Sequence, residues 1–212
     1  MAEDSSDHTL LFHRWTGICR RLGLDGTSEW ESIRDHYNHP QRAYHNLSHI
    51  ADCLRQFDQC VKLVQDPEAL EMAIWFHDVI YDPHSSENEL KSAEMAELFL
   101  SSTSLGLTVR ELILTTRHWA EPRKSDSALI VDIDLSILGS APSEYRRYAT
   151  AIRSEYSIVP DNQYAAGRTQ ILSGFLKRPH LFYTPSFRDT LESTARMNLQ
   201  AEIDSLAKSV RD

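Results

Sequence analysis

Glycine is scarce in this sequence, with seven in 212 residues. Period-two alternation of apolar and polar residues is scarce as well. Together they exclude the tight-turned sandwiches and barrels of all-β proteins. Cysteine occurs three times, at Cys19, Cys53 and Cys60, an odd count with no CxxC spacing, which does not suggest a disulfide framework or a zinc ribbon. Cys53 and Cys60 stand seven apart on an expected helix, a spacing that suits one packed face. No run reaches the roughly 18 apolar residues of a membrane span. The N-terminal MAEDSSDH is acidic and polar, unlike a signal peptide, so a cytoplasmic setting is expected. Basic residues are outnumbered, 22 Lys and Arg against 31 Asp and Glu, for a net charge of −9. That balance disfavours a nucleic-acid partner. A cleft holding divalent cations can still accept a phosphorylated small molecule, because the ions reverse the local charge.

What is present is helical periodicity. Leu11, Trp15, Ile18 and Leu22 recur at spacings of three and four across residues 8–23. Residues 27–38 follow, with Thr27 or Ser28 as N-cap. Leu54, Phe57, Val61 and Val64 stripe residues 48–65. Asp66-Pro67 opens a helix expected to run to about Tyr81, with Pro at the first helical position, where its missing N–H costs nothing. Ser86-x-x-Glu89 and Thr108-x-x-Glu111 read as capping boxes opening two more helices. Gly139 suits a left-handed position after a helical run. Residues 143–158, 161–177 and 185–209 complete an all-α chain. The expected organisation is one compact multi-helix domain over 1–212, with residues 1–8 as a flexible tail. No repeat or linker interrupts it.

Polar residues interrupt this pattern at three places. AYHNLSHIADC (residues 43–53) sets His45 and His49 four apart at the start of a helix. WFHDVIYD (75–82) puts His77 and Asp78 inside an apolar run. IVDIDLSILG (130–139) holds Asp132 and Asp134 among Ile, Val and Leu. An unpaired buried carboxylate costs several kcal/mol, and metal ligation removes that cost. Imidazole nitrogens with carboxylate oxygens suit Mn, Fe, Co, Ni or Zn, and oxygen-rich shells suit Mg. Asp132 and Asp134 are two apart and face different sides of a helix. One of them is a candidate ligand, and the other is a candidate to cap, or to orient a ligand histidine.

The ordered set His…His-Asp…Asp in an all-helical chain resembles the HD superfamily of metal-dependent phosphohydrolases. Within it, YHNLSHI, FHDVIYDPHSSENELKSA, DIDLSILG, the run Ile152–Tyr156 and Glu192 with Ala195–Leu199 resemble a subfamily of HD phosphohydrolases whose substrate is undetermined. The resemblance covers roughly residues 10–205. It implies a helical bundle with a metal site at its centre, one or two divalent ions, and the ligands His49, His77, Asp78 and Asp134. YHNLSHIAD is also similar to the YHNxxHxxD segment of cyclic-nucleotide phosphodiesterases, which implies that His45 is the general acid. Ile133-Asp134-Leu135-Ser136 matches their Ala-Asp-Leu-Ser segment and favours Asp134 over Asp132 as ligand, leaving Asp132 behind the ligands. The chain departs from that family after His-Asp, so cyclic nucleotides are not implied. His77-Asp78-x-x-Tyr81-Asp82 resembles the HDxxED segment of guanosine tetraphosphate hydrolases, making Asp82 and Glu89 candidates for orienting water.

The activity implied is hydrolysis of a phosphate ester or anhydride, of a nucleotide or another small phosphorylated compound, by a metal-activated water. His118 is a candidate for a second ion or a phosphate, and Arg153, Arg168 and Arg196 are candidates for holding substrate phosphate bidentately. Two other functions are compatible with the sequence. Some HD-fold proteins place two further histidines between His-Asp and the last Asp and act as di-iron oxygenases, and His84 and His118 occupy that interval. A non-catalytic ligand-binding regulatory module is the other.

Overall fold

The structure, a computed structural model, describes residues 2–209. Among them are ten α-helices, two short 3₁₀ turns and no strand. No helix among the described residues is long and apolar enough to cross a membrane. The chain forms two compact units, Met1–Glu121 and Pro122–Asp212.

The first unit holds α1 (Ala2–Arg21), α2 (Thr27–Tyr37), α3 (Leu47–Cys60), α4 (Pro67–Phe76), α5 (Asn88–Phe99) and α6 (Gly106–Thr115). Helix α1 occupies most of the stretch expected as an N-terminal tail, and Met1 lies outside the described residues. Every residue of α4 from Ala69 to Phe76 is buried. A helix apolar all round belongs at the centre, and α3, α5 and α6 pack around it. Trp75 meets Trp15 edge-on at 5.6 Å and Trp30 at 6.1 Å, while Trp15 stacks on Phe99 at 5.4 Å. Each such side chain contributes about 1.5–3 kcal/mol of burial. Glu71 is the one buried charge on this inner helix, 5% exposed. Arg14 donates to it at 2.8 Å and Arg21 at 3.3 Å, as a buried carboxylate requires.

Several helix ends differ from the sequence expectation. Gly26 is the N-cap of α2, and Asp25 accepts from the Thr27 backbone N–H and hydroxyl. The capping boxes at Ser86 and Thr108 do not form. The Ser85 hydroxyl accepts from the Glu87 N–H before α5, and the Thr103 hydroxyl accepts from the Leu105 N–H before α6. Both helices are therefore set by hydroxyls in the preceding turn.

The second unit holds α7 (Ser125–Asp134), the 3₁₀ turn Leu135–Gly139, α8 (Pro142–Glu155), α9 (Asp161–Leu176) and α10 (Pro185–Ser209). Helix α10 packs on α8, α9 and the 3₁₀ turn. Gly139 does not take a left-handed conformation. Its role is to allow close approach, since a Cβ there would lie 2.5 Å from Leu191 Cβ and 3.0 Å from the Leu191 carbonyl oxygen. The Asn198 amide on α10 donates to the carbonyls of Leu138 and Ser140, both at 2.9 Å, and fastens the turn from the same side. Gly139→Ala is expected to destabilise this unit by about 1–3 kcal/mol through overpacking, read as a lower urea midpoint with an unchanged m-value.

Candidate metal centre

Helix α3 begins at Asn46, whose side chain accepts from the N–H groups of Ser48 at 2.9 Å and His49 at 3.4 Å. That cap starts the helix so that His49 falls in the first turn and points inward, 3% exposed. Cys53 lies one turn further along the same face and is also buried.

Helix α4 was expected to reach Tyr81 and stops at Phe76. Side chains take the backbone groups that would have continued it. The buried Arg42 guanidinium donates to the carbonyls of Asp78 at 2.6 Å, Val79 at 2.8 Å and His45 at 3.3 Å. It lies over the rings of Tyr37 and Tyr81 at 5.2 and 5.5 Å. Ser92 Oγ accepts from the Ile80 N–H at 3.0 Å and donates to the Ile80 carbonyl at 3.3 Å. Asn88 brackets Asp82 in the same way, at 3.0 and 2.8 Å. His77 and Asp78 thus sit in a braced turn, where adjacent side chains can converge.

His77 Nδ1 donates to the Ile74 carbonyl at 2.9 Å, and since that oxygen can only accept, the ring's Nε2 carries the lone pair. This Nε2 stands 3.2 Å from His49 Nε2 and 3.2 Å from Asp78 Oδ2. His49 Nε2 and Asp78 Oδ2 are 3.7 Å apart. The point equidistant from the three atoms lies about 2.0 Å from each, the length of a bond from zinc or a similar cation to nitrogen or carboxylate oxygen. Cys53 Sγ is 3.7–3.8 Å from the His49 ring nitrogens. His49, Cys53 and His77 offer ligand atoms within 4.8 Å of one another, and with Asp78 Oδ2 beside His77 they can hold a divalent cation.

His45 lies beside it. Its half-buried ring stacks on Tyr81 at 4.2 Å between centroids and is 6.0 Å from the His49 ring. A cleft of about 480 Å³ opens along Arg42, Ile80, Tyr81 and Asp82, within the range of small-molecule sites.

The other candidate residues have these surroundings. Asp82 is exposed, and its carboxylate accepts from the His84 N–H. Glu89 is half-buried, 3.7 Å from Arg117. His118 has a left-handed φ of 57° and is half-buried. His84 is exposed. Arg153 donates to the carbonyls of Tyr156 and Val159 and to Asp161. Arg168 pairs with Glu202 at 2.8 Å and donates to Tyr148. Arg196 pairs with Glu192 and takes the carbonyls of Leu176, Arg178 and Pro179 at the end of α9. All three arginines hold helix ends or buried carboxylates.

Asp134 is the last residue of α7 and half-buried. Tyr148 is near enough that the Asp134 charge adds to the effect of burial in raising its pKa. Asp132 is fully buried, and its carboxylate accepts from the Tyr183 N–H at 2.7 Å, the Thr184 N–H at 2.7 Å and the Thr184 hydroxyl at 2.6 Å. It fixes the start of α10. Burial raises its pKa, against the pull of those hydrogen bonds and of Arg188.

Arg42, Cys53, Tyr81 and Ser92 were not among the sequence-derived site residues. Only Cys53 carried a signal, its four-residue spacing from His49. The chain matches no protein-family model, no curated protein and no solved structure.

Arg42→Lys keeps the charge and loses the fork that spans three carbonyls. It is expected to weaken Zn²⁺ binding roughly tenfold to a hundredfold by calorimetry, with helix content unchanged by circular dichroism. Asp132→Asn leaves a backbone N–H facing an amide donor and is expected to cost about 1–3 kcal/mol. Because the native pKa of Asp132 is raised, its protonation favours the folded state. The urea-unfolding gap between wild type and Asp132→Asn should therefore widen as pH falls from neutral through the carboxylate range.

Proposed function

We propose that this chain is a metal-dependent phosphohydrolase that cleaves a phosphate ester or anhydride of a small phosphorylated compound, such as a nucleotide. The observation that carries this reading is the convergence of His49 Nε2, His77 Nε2 and Asp78 Oδ2 around one point at bonding distance. A bound divalent cation supplies an acidified water and polarises phosphoryl oxygens. The protein's own groups do the rest. His77 is held by the Ile74 carbonyl in the tautomer that presents Nε2, and Asp78 adds an anionic oxygen.

His45, held against Tyr81, hands a proton to the leaving oxygen. Asp82, one of the residues lining the cleft, orients the attacking water in this reading. In a chain of net charge −9, the cation also gives an anionic substrate a reason to enter.

Phosphate release from a panel of nucleotides and simple phosphate esters, with Mn²⁺, Co²⁺, Ni²⁺, Zn²⁺ and Mg²⁺ in turn, tests the reading. Wild type should turn over at least one substrate, and Asp78→Ala should abolish turnover together with metal binding. His45→Ala should lower kcat by about 10²–10⁴ with the metal content unchanged. Metal-loaded wild type that hydrolyses nothing in the panel would overturn it.

A further inference from the structure

Cys53 stands out from the other two cysteines by its neighbours. Cys19 and Cys60 are also buried, but neither belongs to a metal-ligating group among the described residues. The Cys19 thiol is pushed up to about 12 by burial, with the Glu29 and Asp25 charges adding to the effect. Cys53 Sγ faces the His49 ring at 3.7 Å from Nε2 and 3.8 Å from Nδ1, and lies within 4.8 Å of a His77 ring nitrogen.

The sulfur lies within reach of the His49 and His77 donors, beside the His49 ring and nearly equidistant from its two nitrogens. A tetrahedral cation with bonds of about 2.05 Å to nitrogen and 2.3 Å to sulfur holds those two donors about 3.6 Å apart, and two nitrogens about 3.3 Å apart. The structure has 3.7 Å for sulfur to His49 Nε2 and 3.2 Å between the two Nε2 atoms. The spacing of four on α3 puts sulfur and imidazole on one face without any backbone adjustment.

We infer that Cys53 is a sulfur donor to the cation held by His49 and His77, and that the site therefore takes a thiophilic divalent ion, Zn²⁺, Co²⁺ or Fe²⁺, in preference to Mg²⁺ or Ca²⁺. The inference rests on the metal centre of the proposed function and does not depend on hydrolysis. On binding, the thiol S–H proton leaves to solvent as the sulfur–metal bond forms, and no oxidation state changes.

Cobalt substitution tests it. Wild type loaded with one equivalent of Co²⁺ should show a near-ultraviolet sulfur-to-cobalt charge-transfer band. Cys19→Ser and Cys60→Ser should keep that band. Cys53→Ala should lose it and bind Co²⁺ at least roughly tenfold more weakly, since even changes outside the ligand shell cost that much. Zinc X-ray absorption on wild type needs no variant and should show a sulfur scatterer at about 2.3 Å. An excess of Mg²⁺ should leave the bound Co²⁺ in place. Stoichiometric Co²⁺ without the band, or a zinc shell of nitrogen and oxygen alone, overturns the sulfur ligand and leaves the hydrolase reading standing. Wild type that binds neither Co²⁺ nor Zn²⁺ overturns both.

Discussion

The Arg42 guanidinium holds three backbone carbonyls at once, those of His45, Asp78 and Val79. A helix that continued past Phe76 would use its own N–H groups on the carbonyls one turn back and would point His77 and Asp78 about 100° apart. By drawing the Asp78 and Val79 carbonyls to itself, Arg42 keeps the chain in a turn at this point. Its hold on His45 ties the segment before α3 to the same group. The guanidinium is fixed in turn by the Tyr37 and Tyr81 rings. This one planar cation holds the turn that carries His77 and Asp78 and the segment that leads to His49.

The helical content was legible because it rests on local periodicity, and the histidines and aspartates stood out because charge inside an apolar run needs a partner. Features set by distant side chains were hidden. The end of α4 depends on Arg42, Ser92 and Asn88, none of which is near it in sequence. Ser86 and Thr108 carried the spacing of a capping box, but Ser85 and Thr103 reach free N–H groups first, and the spacing does not say which hydroxyl will. Gly139 read as a conformational residue. Its actual constraint is the backbone of Leu191, an approach visible only once α10 is placed. Asp132 and Asp134 look alike in the sequence, yet Asp132 serves the start of α10, some fifty residues on.

Arg153, Arg168 and Arg196 follow the same pattern. The pairing geometry that suits a phosphate suits a carboxylate or a frayed helix end equally well. In this chain each guanidinium is engaged with protein oxygens. Glu71 is matched by Arg14 and Arg21, and Glu202 by Arg168. The His49–His77–Asp78 cluster differs in bringing three potential ligand atoms within 3.7 Å of one another, an arrangement that a cation completes better than any further side chain.

The pairing of Glu71 with Arg14 and Arg21 bears on how the polypeptide can be shortened. Glu71 sits on the innermost helix, one turn and a half before His77, and its two cationic partners both come from α1. A trimmed form lacking α1 would strand an anion beside the aromatic core and uncover Trp75, so the leading helix is a structural strut of the first unit and not a dispensable extension.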